Sequence, residues 1–197
     1  LAGIALGTFE EDWKGYYVPI SHNDESFKQL SLEVVRNILQ PFLSESQILK
    51  IGHNIKYDIL VLEQHGFFIK NYDDTMLLSY CLNAGKHGHS LDELAYKYLN
   101  HQCISFEDVA GKGKAQKLFC DVKIEEASKY AAEDAIVTGK LWDIFKKELQ
   151  TEELNKIYEE VERPLIPVIV AMEKTGVKID SEHLKKIGIS FLEPVSY

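Results

Sequence analysis

Two carboxylates in apolar surroundings are the residues of this chain best placed to do chemistry. One lies in Tyr130-Ala131-Ala132-Glu133-Asp134, inside a stretch that reads as helix from about Ile124 to Leu149. Its apolar stripe runs through Ile124, Ala127, Ala131, Thr138, Leu141 and Phe145, at the three- and four-residue spacing of a buried helix face. Asp134 falls on that stripe. Tyr130 precedes it by one turn, so the two side chains point the same way. The other carboxylate is Asp58, in Asn54-Ile55-Lys56-Tyr57-Asp58, among Ile55, Ile59, Leu60 and Leu62. A carboxylate on a buried face costs several kcal/mol unless positive charge meets it. Either a basic side chain or a metal ion must do so.

Two such acids on different helices suit a hard divalent cation, Mg²⁺ or Mn²⁺, which takes carboxylate and water oxygens. Two such ions ~3.5–4 Å apart can activate a water and stabilise the leaving oxygen of a phosphodiester. The Tyr130 hydroxyl can orient that water. The alternative is a pair of unrelated acids, each capped or salt-bridged.

The elements that would position these groups alternate. Leu1 to Phe9 reads as a strand, Glu10 to Gly15 as a polar turn, and Tyr16 to Ile20 as a second strand, together an antiparallel hairpin. Ser31 caps a helix carrying Leu32, Val35, Ile38, Leu39 and Phe42. Ile48 to Ile51 reads as a strand ended by Gly52. Asn54 then caps a helix that stops at Gly66. Phe67 to Ile69 is strand-like, Asp74 to Leu82 helical, and Ser90-Leu-Asp-Glu93 a capping box opening a helix to Leu99. His101 to Asp121 lacks periodicity and reads as a loop with short helical pieces. After the polar Gln150–Glu153, a helix with the stripe Ile157, Val161, Leu165, Val168, Ile169 and Met172 begins a second unit. The expectation is an α/β fold, a mixed sheet flanked by helices, with domains at 1–152 and 153–197.

The 197 residues carry 45% hydrophobic and 27% charged side chains and a formal net charge of -9. Such an acidic chain is a poor general nucleic-acid binder, because phosphate contacts dominate that affinity. A nucleic-acid role would need a local basic patch or metal ions. Three widely spaced cysteines without a C-x-x-C exclude a thiolate zinc cage and point to a reducing, cytoplasmic compartment. No apolar run approaches the ~20 residues of a membrane span. The chain opens at Leu1 inside an apolar run and reads as a fragment cut at both ends.

Asn54-x-Lys56-Tyr57-Asp58 followed by Tyr130-x-x-x-Asp134 resembles the second and third exonuclease motifs of the DEDD superfamily, in its tyrosine branch. Asp74-Thr-Met-Leu77 and Ser105-Phe106 through Lys114 are similar to the proofreading domains of bacterial family A DNA polymerases, the DNA polymerase I family. Glu162 to Asp180 resembles the segment that opens their polymerase domain. The resemblance implies a ribonuclease H-like exonuclease fold and a metal-dependent 3′–5′ exonuclease hydrolysing 3′-terminal nucleotides of DNA with two Mg²⁺ or Mn²⁺ ions. Its partners would be a single-stranded DNA 3′ end and a polymerase domain of the same polypeptide. Asp58 and Asp134 would be metal ligands, and Tyr130 would position the water. Asn54, Tyr57 and Phe106 would lie beside the terminal nucleotides, Phe106 either stacking on a base or serving as a core aromatic. Lys112 and Lys114 would contact phosphates or lie in a solvated loop.

The family's first motif, Asp-x-Glu on an opening strand, has no counterpart here. The first strand is expected to be missing from this chain and the fragment to be impaired. Two other readings are a catalytically inactive nucleic-acid-binding or scaffold domain and a ribonuclease D-like exoribonuclease. The persistence of Asp58, Tyr130 and Asp134 favours an active parent, and Glu162 to Asp180 argues against the ribonuclease.

Overall fold

A computed structural model describes residues 1–192. Strands β1 (Gly3–Phe9) and β2 (Trp13–Pro19) form the expected antiparallel hairpin, in register from Gly3 opposite Pro19 to Phe9 opposite Trp13. Helix α1 (Leu32–Ser44) follows, with the Ser31 hydroxyl accepting from the Val34 amide. Strand β3 (Lys50–Gly52), helix α2 (Ile55–Gln64) and strand β4 (Tyr72–Asp74) come next, β3 pairing with β4 in parallel. Then come α3 (Thr75–Asn83), α4 (Leu91–Leu99), the short α5 (Phe106–Ala110) and the long α6 (Ile124–Thr151). A three-residue turn α7 (Asn155–Ile157), a π-helical turn over Tyr158–Glu162, α8 (Arg163–Thr175) and α9 (Ser181–Leu192) end the chain. Both strand senses are present, divided between two two-stranded sheets flanked by helices.

Helix α6 is the axis of the molecule. One side lies on the hairpin, and the approach is close because the facing residues are small. A Cβ on Gly15 would sit 2.2 Å from the Ala132 carbonyl oxygen, and one on Gly7 3.1 Å from that of Ala135. Gly139 leaves room for the Trp13 ring, whose Nε1 donates to Asp143 at 2.6 Å. The other side enters the main core, where Val137, Leu141, Phe145 and Leu149 pack with Leu78, Leu94 and Tyr158. No side chain next to Ile124 caps the helix. Asp24, 100 residues earlier, accepts from the Ile124 amide at 3.0 Å.

Three local expectations are corrected. Phe67 to Ile69 is not a strand; the strand is Tyr72–Asp74, and α3 begins after it. A strand of one Tyr and two Asp carries no apolar signal, yet Asp73 and Asp74 are buried because each is fully partnered. Asn54 does not cap α2. It sits in the left-handed region at φ 57°, and its side chain makes no cap bond. Asp74 takes that role, accepting from the amides of Asn54 and Ile55 at 3.0 and 2.9 Å and from Met76 of α3 at 2.8 Å.

The third correction concerns α8. The stripe Ile157, Val161, Leu165, Val168, Ile169 and Met172 faces outward, whereas Tyr158, Ile166 and Val170 are buried. Ile166 and Val170 pack on Ile55 and Ile59 of α2.

Candidate active site

Each residue of the 130–134 stretch has a separate task. Ala131 is buried, and the Ala132 backbone lies against Gly15 of the hairpin. Glu133 reaches to the loop after α4, accepting from the Ile104 amide at 2.6 Å and facing His101 Nε2 at 2.8 Å. Tyr130 stands in an aromatic group with Phe106 and Phe119, its ring centroid 6.1 and 5.9 Å from theirs. Phe106 and Phe119 stack at 6.0 Å. Phe106 keeps 39% of its surface exposed, so it is neither a closed core residue nor a free one.

Asp134 is half-buried. Burial pushes its carboxyl up to about 7; the Tyr130 hydroxyl pulls it back, and the charges of Asp92 and Glu133 add to the rise. The Tyr130 phenol is itself pushed up, by burial and then by Asp134, so it keeps its proton at neutral pH.

On α2, burial and then the charge of Asp74 push Asp58 up to about 6. Asp58 is nonetheless exposed by surface area although protein crowds it. Its accessible rim decides the energetics, because water screens a charge it can reach. Tyr57 is exposed and Asn54 half-buried beside it.

Among the described residues, no Lys or Arg pairs with Asp58 or Asp134, and none figures among the causes of their shifts. The salt-bridge alternative therefore does not apply to them. Two carboxylates raised by burial and left without a cation fit a hard divalent ion, which would restore the charged form.

The structure thus groups Tyr130, Asp134 and Phe106, and separately Asn54, Tyr57 and Asp58. Strand β3 leads into α2 and packs on α6, so it links the two elements that carry these groups. Lys112 and Lys114 are exposed near the end of α5, and Lys112 pairs with Glu107 at 2.6 Å. Sequence reading passed over Phe119 and quoted Asp74 without giving it a role. It also passed over Glu133, although that residue stands beside Asp134; its signal is that it lies between two helix faces, free to reach a loop.

The fold is ribonuclease H-like, with small sheets of both strand senses flanked by helices around α6, which carries Tyr130 and Asp134. The chain matches the model of the 3′–5′ exonuclease family over residues 2–150 and belongs to that family. It is 39% identical over 181 residues to the DNA polymerase I of Rhizobium leguminosarum, covering 87% of this chain and 18% of that protein. It spans about a fifth of the length of the curated relatives it matches. Among solved structures it is similar to the POL domain of Pol1 from M. smegmatis in complex with DNA primer-template and dNTP. That likeness has a TM-score of 0.65 and 19% identity, over 96% of this chain and 31% of that one. Brucella melitensis NrnC with bound Mg²⁺ gives a TM-score of 0.56 and 16% identity, over 91% and 87% of the two chains. No helix among the described residues is long and apolar enough to cross a membrane.

Proposed function

We propose that this chain supplies the editing site of a DNA polymerase I, removing nucleotides from a single-stranded DNA 3′ end with Mg²⁺ or Mn²⁺ ions. The observation that carries this reading is that Asp58 and Asp134 both lack a compensating cation, in a chain of the 3′–5′ exonuclease family. Asp58 and Asp134 would hold the ions. Bound there, a divalent pair supplies Lewis-acid activation of water and charge stabilisation of the leaving oxygen. Tyr130, protonated at neutral pH, accepts a hydrogen bond from the attacking water and orients it. Asn54, Tyr57 and Phe106 hold the terminal nucleotides, Phe106 by offering its exposed face to a base. Lys112 and Lys114 lie where they can meet phosphates.

The polymerase domain of the same polypeptide is the proposed neighbour of the outward face of α8. Ile157, Val161, Leu165, Val168 and Met172 expose an apolar stripe there, and the relatives are about five times longer than this chain.

The test is a 5′-labelled oligonucleotide incubated with the full-length polymerase and with residues 1–197. The full-length protein should shorten the oligonucleotide from its 3′ end in Mg²⁺ or Mn²⁺. Asp58→Ala or Asp134→Ala should abolish that, and Phe106→Ala should weaken binding of the end by ~1–3 kcal/mol. Residues 1–197 contain two of the carboxylates that the family uses. Without a bridging ligand, two cations ~4 Å apart repel by several kcal/mol. The 197-residue polypeptide should therefore act at background. A full-length protein that binds the 3′ end but never shortens it would instead support a binding or scaffold domain.

A further inference from the structure

His101, Cys103 and Glu133 bring an imidazole nitrogen, a thiol sulfur and a carboxylate oxygen within 4.8 Å of one another. Neither Asp58 nor Asp134 belongs to this cluster. We infer that it is a separate site for a borderline-soft divalent ion of the zinc type.

The donor set differs in kind from the oxygen pair of the exonuclease site. Thiolate and imidazole select Zn²⁺ and its neighbours, whereas Mg²⁺ takes carboxylate and water oxygens. Three protein ligands leave one tetrahedral position for water or for a further carboxylate. Asp92, at the start of α4, lies beside the Cys103 thiol.

The geometry is held before any ion arrives. Glu133 sits in the middle of the 28-residue α6. The loop bearing His101 and Cys103 is fixed at both ends. Asn100, in the left-handed region at φ 48°, closes α4, and the Ser105–Asp108 capping box opens α5. Between them the Ile104 amide donates to one oxygen of Glu133 while His101 Nε2 meets the other. The His101 side chain is 44% exposed and that of Glu133 19%, so the cluster is open to solvent on one side. Binding would exchange the His101–Glu133 contact for two metal bonds. The thiol proton of Cys103 leaves to solvent as its sulfur becomes a ligand. The three cysteines cannot form a thiolate cage, and this site needs only one of them.

Cobalt(II) is the probe, because a thiolate ligand gives it a charge-transfer band in the near ultraviolet and tetrahedral geometry gives it strong visible absorption. Titrating metal-free protein should produce both, saturating at one ion per chain and bleached by Zn²⁺. Cys103→Ser should remove the charge-transfer band, while Cys81→Ser and Cys120→Ser keep it. His101→Ala, at an exposed side chain, should weaken the apparent affinity at least roughly tenfold. Asp58→Ala should leave the band intact, which separates this site from the exonuclease site. Failure of the exonuclease reading would not touch the band, and absence of the band would not touch exonuclease activity. A folded protein that gives no band, or a band indifferent to Cys103→Ser, overturns the assignment.

Discussion

Replacing Asp73 tests how α8 is joined to the rest of the molecule. Asp73 is 1% exposed at the centre of β4. Its Oδ2 accepts from Trp142 Nε1 at 2.8 Å and lies 3.3 Å from Lys146 Nζ. Its Oδ1 accepts from the Tyr158 hydroxyl and from Arg163 Nη1, both at 3.1 Å. Tyr158 in turn accepts from the Asp74 amide at 2.9 Å. One carboxylate thus ties α6, β4 and the turn that starts α8. Asp73→Ala leaves two cations, an indole and a phenol without their acceptor. Removing one partner of a buried pair costs ~3–5 kcal/mol. Lys146 and Arg163 keep Glu159 as a second partner, which places the expected loss near the lower end, ~3 kcal/mol. For a chain of this size that is a fall in melting temperature of roughly 6–12 °C. Urea unfolding followed by far-ultraviolet circular dichroism measures it. Acid adds a second readout. Burial alone would raise the Asp73 carboxyl, but Trp142, Lys146 and Arg163 outweigh it and hold it below the usual range. A depressed acid contributes stability that is present above its unfolded value of ~3.9 and is lost as pH falls through the folded one. Asp73→Asn should therefore flatten the loss of stability below about pH 4. An Asp73→Ala protein within ~1 kcal/mol of the parent would refute the reasoning, because that is the worth of an ordinary exposed pair.

Asp134 and Gly15 give two further outcomes. Asp134 has its carboxyl raised to about 7, so metal-free protein should lose stability as pH rises from ~4 through ~7, with an upper bound of about 4 kcal/mol. Asp134→Asn should remove that loss, and a flat urea midpoint across this window in the parent would contradict it. Gly15→Ala places a methyl against the Ala132 carbonyl, which neither backbone can relieve, and should cost ~1–3 kcal/mol. A melting temperature within experimental error of the parent's would show that the hairpin can shift away from α6.

Much of the fold was legible because local signals and burial agree. The hairpin, the Ser31 and Ser90 caps and the buried stripe of α6 all lie where side-chain spacing places them. The signal failed where the cause is distant in sequence. Asp24 capping α6 and Asp74 capping α2 act across 100 and 19 residues. It also failed on α8, whose two faces are both apolar. Periodicity marks the helix there but cannot say which face turns inward. Packing of Ile166 and Val170 on α2 decides it, and the brighter stripe is left outside. At the site, the single turn between Tyr130 and Asp134 was readable, and so was their shared direction. The convergence of Phe119, His101 and Cys103 was not, because it depends on how the 101–121 loop folds back onto α6.

A carboxylate in apolar surroundings needs either a basic partner or a metal, and the structure shows the first of these and one further resolution. Asp73 is met by Lys146, Arg163 and two neutral donors, which is the salt-bridged outcome. Asp74 is met by backbone amides at the starts of α2 and α3, so helix ends take the place of a cation. Asp58 and Asp134 have neither. Burial lifts their carboxyls to about 6 and 7, and no protein cation offsets the rise. Under the proposed function, these two acids are the ones left for an ion that comes from solution. Protein cations stabilise the scaffold at Asp73, and the exonuclease chemistry proposed above falls to the acids they leave free.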